Sequence, residues 1–127
     1  MRISKLQKHI LECGYKDVSV MKRHFKTYYG LPDENRSWHG QGMTNAQRVT
    51  KLRCKRNMIK NGLLELREGY LLLTERGIET LKANGSVIAG KNISFSEYQK
   101  RVEEYLKGAK AFVEQAKIIG QMMRRRR

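Results

Sequence analysis

The stretch "GLLELREGYLLLTERGIETL" (Gly62–Leu81) holds two Leu-rich runs, "LLEL" and "YLLL", that meet across Arg67, Glu68 and Gly69. A glycine between two short apolar runs predicts two strands around a tight turn rather than continued helix. Thr74 followed by Glu75 then opens a short helix that turns Ile78 and Leu81 inward. The chain on both sides of this hairpin reads as helix, so the expected fold class is mainly α with a small β-hairpin.

Directly upstream lies "TNAQRVTKLRCKRNMIKNG" (Thr44–Gly62), with six Lys or Arg residues and no acidic one. Thr44-Asn-Ala-Gln47 is a capping-box pattern, in which the hydroxyl accepts the amide three residues on and the glutamine reaches back. A helix over 44–61 follows, stopped by Gly62. At about 100° per residue, Val49, Leu52 and Ile59 fall together with Leu63 just beyond, and they are predicted to face the core. Gln47, Lys51, Cys54 and Met58 are then predicted to face outward, flanked by Thr44, Arg48, Thr50, Lys55 and Asn57. A helix in a DNA major groove reads bases with its first turns, through Arg or Lys to guanine and Asn or Gln to adenine. Asn45, Gln47, Arg48 and Lys51 occupy those turns. Arg53, Arg56 and Lys60 sit at the apolar edge, where stems cover core and heads reach phosphate or solvent. No acid occurs from Asn35 to Leu64, whereas solvated helices intersperse both signs, so the run points to a polyanion.

Two shorter helices are expected before it. Ile3, Leu6, Ile10 and Cys13 give one from Arg2 to Cys13, with Gly14 as its left-handed end. Val18, Met21, Phe25 and Tyr28 give the second, with Asp17 as N-cap and Gly30 with Pro32 as the stop. "GLPDENRSWHGQGM" (Gly30–Met43) reads as a long loop. Trp38 there offers a stacking face, Arg36 and His39 offer donors, and Gly40 and Gly42 let backbone approach phosphate; the alternative is a Trp tucked into the core beside a Gly turn.

Downstream, residues 85–93 read as a linker. Ser94-Phe-Ser-Glu97 is a second capping box. The helix over 94–123 places Tyr98, Val102, Tyr105, Ala109, Phe112, Ala116, Ile119 and Met123 at four-three spacing, the mark of a seam against another helix. That helix either pairs with a second copy or packs back on its own domain. Residues 124–127, Arg124, Arg125, Arg126 and Arg127, form a basic tail that either seeks phosphate or frays in solvent.

Three helices, a hairpin after the third, then Gly62, Leu63 and Leu64 entering it and Leu73, Thr74, Gly77 and Leu81 leaving it resemble the winged helix-turn-helix family of DNA-binding proteins. The resemblance covers Ile3 to Leu81 and implies a winged helix-turn-helix plus long C-terminal helix, with residues 1–84 as the nucleic-acid-binding domain. It makes the third helix the recognition helix and the turn at Arg67–Gly69 the wing tip, with Arg67 on phosphate. A C-terminal helix that dimerises such domains is similar to that of small archaeal chromatin-associated and regulatory members. The chain departs from the family in its long loop before the third helix and in a short wing with Glu68 at its tip. A long Gly-rich loop feeding a basic helix and a wing is also similar to a winged-helix ribosomal protein of the small subunit.

Composition bounds these readings. The 127 residues, 14.9 kDa, suit one compact domain with an arm, and 39% hydrophobic against 31% charged residues suits a folded chain. Lys and Arg number 27 against 12 Asp and Glu, a net charge of +15 that draws nucleic acid or an anionic surface. No apolar run is long enough to span a membrane, and charges interrupt the first residues, which predicts a cytoplasmic protein, nucleoid-associated if prokaryotic. Cys13 and Cys54 make no disulfide framework, and His9 with Cys13 is at most half a metal site, so no cofactor is expected. No catalytic motif is present, and no enzyme is expected. The expected function is sequence-selective or architectural binding of double-stranded DNA as a homodimer, as in a transcriptional regulator. The alternative is a structural RNA-binding protein of a ribosomal-type particle.

Overall fold

A computed structural model of the chain describes residues 2–31, 42–86, 88 and 92–125, with side chains through residue 123. The elements in order are α1 (Lys5–Asp17), α2 (Lys22–Tyr28), α3 (Asn45–Lys60), β1 (Leu64–Arg67), β2 (Tyr70–Leu73), α4 (Glu75–Ala83) and α5 (Phe95–Arg125). The protein is mainly helical, with a two-stranded antiparallel hairpin and a long C-terminal helix. It divides into two units, Met1–Phe95 and Ser96–Arg127.

In the first unit, α1 starts at a capping box of its own: Gln7 N–H donates to Ser4 Oγ at 3.2 Å and Ser4 N–H to Gln7 Oε1 at 3.1 Å. It runs past Gly14, which is not the predicted terminator. Gly14 is buried inside the helix, where an added Cβ would lie 2.8 Å from Val20 Cγ2 and still closer to Leu73 Cδ1. Its missing side chain lets α1 lie close on the hairpin. The helix ends instead at Val18, a branched residue held at φ 73°.

Asp17 does not cap α2 with its own side chain, because it is the last residue of α1. Its carboxylate accepts from the buried His24 Nε2–H at 2.7 Å and from Arg23 at 3.2 Å. His24 Nδ1 in turn accepts the Met21 N–H at 2.9 Å, which fixes the tautomer and satisfies the backbone of Met21, the N-cap residue in place of the predicted Asp17.

The hairpin pairs Leu64 with Leu73 and Arg67 with Tyr70, and it turns through Glu68 (φ 54°) and Gly69 (φ 85°). Two successive left-handed residues match the right-handed twist of the strands. The run Leu71, Leu72 and Leu73 is buried throughout, and β2 packs on α1 and α4 as well as pairing on both edges. Beyond β1, Ser19 bridges Leu72 and Val20 N–H donates to Leu71 C=O at 2.8 Å. A strand covered on both faces reads as a continuous apolar run rather than an alternation.

The hairpin's exit shows why Leu73, Thr74 and Gly77 stand where they do. Thr74 Oγ1 accepts the Gly77 N–H at 3.0 Å, capping α4, and its hydroxyl donates to the Gly62 carbonyl. A Cβ on Gly77 would overlap the Leu63 carbonyl oxygen. The motif therefore joins the end of α3, the start of β1 and the start of α4 at one point. α1 packs on α2, α3, α4 and β2, around a core in which Ile10, Leu11, Phe25, Met58, Leu63 and Ile78 are fully buried. Each such side chain contributes about 1.5–3 kcal/mol by leaving water.

The inward face of α3 is opposite to the one expected. Val49, Leu52 and Ile59 are 45%, 51% and 40% exposed, while Cys54 and Met58 are buried, with Cys54 Sγ 3.6 Å from Met58 Sδ. The helix carries apolar residues on both sides, and its rotation is set by its flanks. Met43 just ahead of it and Leu63 and Leu64 just after it are all buried, on the side of Cys54 and Met58.

In the second unit, Tyr98, Val102 and Leu106 are buried, Tyr105 and Ala109 are half-buried, and Phe112, Ala116, Ile119 and Met123 are exposed. The predicted seam thus changes character midway, and Leu106, a buried position, is absent from it. Val113, Ile118 and Met122 are exposed as well, so the distal apolar surface is wider than a four-three seam. Among the described residues no helix is long and apolar enough to cross a membrane.

Candidate nucleic-acid interface

The sequences of α2 (KRHFKTY) and α3 (NAQRVTKLRCKRNMIK) contain nine Lys or Arg and no Asp or Glu. Folding brings their charges together. Lys51 lies over the Phe25 ring, 5.7 Å from its centroid, which turns the α3 side chain toward α2. Burial holds its ammonium below the ordinary 10.5, and repulsion from Lys55, Lys22 and Lys26 lowers it further. Lys51 therefore meets the charge of three other lysines, two of them on α2, and a bound anion would relieve that repulsion. Lys22 and Lys26 escaped the sequence reading; the signal available was that α2, like α3, carries no acid.

Along α3 the predicted contact residues divide into three groups. Thr44 and Gln47 are engaged in the cap of α3: Gln47 N–H donates to Thr44 Oγ1 at 3.1 Å and Thr44 N–H to Gln47 Oε1 at 2.9 Å. Lys51 and Lys55 lie half-buried on the flank that faces the lysines of α2. Asn45 and Arg48 stand exposed in the first turn, and the outward face they begin continues through Val49, Leu52, Arg53 and Arg56. Arg67 closes β1 opposite Tyr70 and is half-buried. The predicted contacts at Arg36, Trp38 and His39, and those of the tail side chains Arg124, Arg125, Arg126 and Arg127, lie outside the described residues.

His9 and Cys13 do meet on one face of α1, with Nε2 3.4 Å from Sγ, and the same nitrogen is 3.3 Å from Thr27 Oγ1. Burial and then Asp17 push the Cys13 thiol up, against a nucleophilic or metal-binding thiolate. Cys54 is separate from this pair, beside Met58, and burial pushes its thiol up to about 11. Among the described residues, no three His, Cys, Asp or Glu side chains are grouped as a metal would need.

Comparison of the chain with protein-family models, curated proteins and solved structures finds no match.

Proposed function

We propose that this protein binds double-stranded DNA as a homodimer, in the manner of a transcriptional regulator or a small architectural protein. The observation that carries the reading is the convergence of Lys22, Lys26, Lys51 and Lys55 on two helices that contain no acid. Lys26 is itself buried, so the exposed Lys22 and the half-buried Lys51 and Lys55 are the ammonium groups that neutralise phosphates, and the neighbouring first turn of α3 presents Asn45 and Arg48, the side-chain types that read adenine and guanine edges. Lysines on the flank hold the backbone while the outward face meets the groove.

Winged-helix architecture is supported by the element order and by the bridge from Ser19 to Leu72, which sets a segment between α1 and α2 against the hairpin. Dimerisation is supported by the exposed Phe112, Ile119 and Met123 on the distal part of α5, since large apolar side chains repeated along one helix mark an interaction surface. Two copies would present two α3 helices to successive half-sites.

The reading is tested by titrating a labelled DNA duplex with the protein across a range of salt. Affinity should fall steeply, with a log–log slope near 0.9 for each phosphate neutralised, and Lys51→Gln with Lys55→Gln should reduce that slope by about two. A flat response to salt, or tighter binding to folded RNA than to any duplex DNA, refutes it.

A further inference from the structure

On an otherwise basic surface, α3 turns two branched apolar side chains outward in its second turn, Val49 and Leu52, 45% and 51% exposed. They stand between Asn45 and Arg48 on one side and Arg53 and Arg56 on the other, all exposed. A solvated helix gains nothing from apolar groups there, and a surface that only grips phosphate would carry more donors in their place.

We infer that Val49 and Leu52 read thymine, packing on its 5-methyl group in the major groove of an A·T-containing site while Asn45 meets the adenine. The inference rests on the DNA reading above and names the base composition that this face selects. Thymine alone among the four bases shows a methyl group in the major groove, and it is the base edge on which an apolar side chain is favoured. Asparagine, with one donor and one acceptor, matches adenine N6 and N7. Asn45 and Val49 are one turn apart on the same face, a rise of about 6 Å, or roughly two base-pair steps. An adenine contact and a thymine contact therefore fall about two base pairs apart, with the thymine on either strand. The occupant is a polyanion because every charged residue of α3, the helix that carries the two apolar groups, is a cation.

The full-length protein is titrated against three probes at one salt concentration: an alternating A·T duplex, the same duplex with deoxyuridine replacing every thymidine, and an alternating G·C duplex. An alternating A·T probe shows a methyl at every step, so no target site need be known. The thymidine duplex should bind about fourfold more tightly than the deoxyuridine duplex for each methyl that leaves water against these side chains. Val49→Ala with Leu52→Ala, both at exposed positions, should bring that ratio toward one while the salt dependence stays as it was. Equal affinity of the unaltered protein for the thymidine and deoxyuridine duplexes, or a ratio that survives the double substitution, overturns the inference and leaves DNA binding standing. Tighter binding to the G·C duplex also overturns it. Failure to bind any of the three removes the DNA reading itself, and the inference with it.

Discussion

Two helices of this protein carry the same four-three ridge on their exposed sides and yet present different chemistry. On α3 the ridge is Asn45, Val49, Leu52, Arg56 and Ile59, and every charge on that helix is positive. On the distal half of α5 it is Phe112, Ala116, Ile119 and Met123, with Glu114 interspersed among Lys110 and Lys117. Spacing alone says that a face is made to be covered. On the function proposed above, the α3 ridge meets phosphate because its charged neighbours are all cations, and the α5 ridge meets another protein surface because mixed signs surround its large apolar groups.

The comparison breaks most visibly at α5. Phe112→Glu with Ile119→Glu should convert a dimer to a monomer in sedimentation equilibrium and weaken duplex binding on the order of 100-fold, because two linked half-sites no longer share one binding event. An unchanged mass would remove α5 as the pairing element. A smaller effect separates the two faces of α3. Met58→Ala should lower unfolding free energy by about 2–5 kcal/mol in a urea titration, and Leu52→Ala by less than about 0.5 kcal/mol. The reverse ranking would return Leu52 to the core.

The smallest effect is one of pH. Cys54 is raised from 9.0 to about 11 in the folded chain, so the folded state keeps its thiol proton where the unfolded state has lost it. Stability from this group is full below pH 9 and is lost as pH rises toward 11. A Cys54→Ala variant should show a flatter decline over that window, and an equally steep one would exclude the thiol as its source.

Local signals were legible where the structure is local. The hairpin, the Thr44–Gln47 cap and the Leu73-Thr74-x-x-Gly77 junction are each specified within a few residues, by turn chemistry, a reciprocal hydrogen bond and a glycine that only a close backbone approach explains. The rotation of α3 was not, because Val49 and Leu52 outrank Cys54 and Met58 in hydrophobicity while Met43, Leu63 and Leu64 outside the helix decide which side turns in. Gly14 read as a terminator for the same reason: its contact partners, Val20 and Leu73, lie beyond the helix. The lysine cluster joins α2 to α3 across more than twenty residues of chain, a proximity that neither helix pattern encodes.

The bridge between Ser19 and Leu72 closes a ring of about fifty residues that contains α2, the long segment before α3, α3 itself and β1. Closure entropy grows only with the logarithm of ring length, so ten further residues in that segment would cost about 0.2 kcal/mol. Meanwhile Phe25 under Lys51 links the two basic helices inside the ring, and the Asp17–His24 bond ties α2 to α1. Insertions and deletions before α3 can therefore accumulate over evolutionary time without altering the spacing of the four lysines.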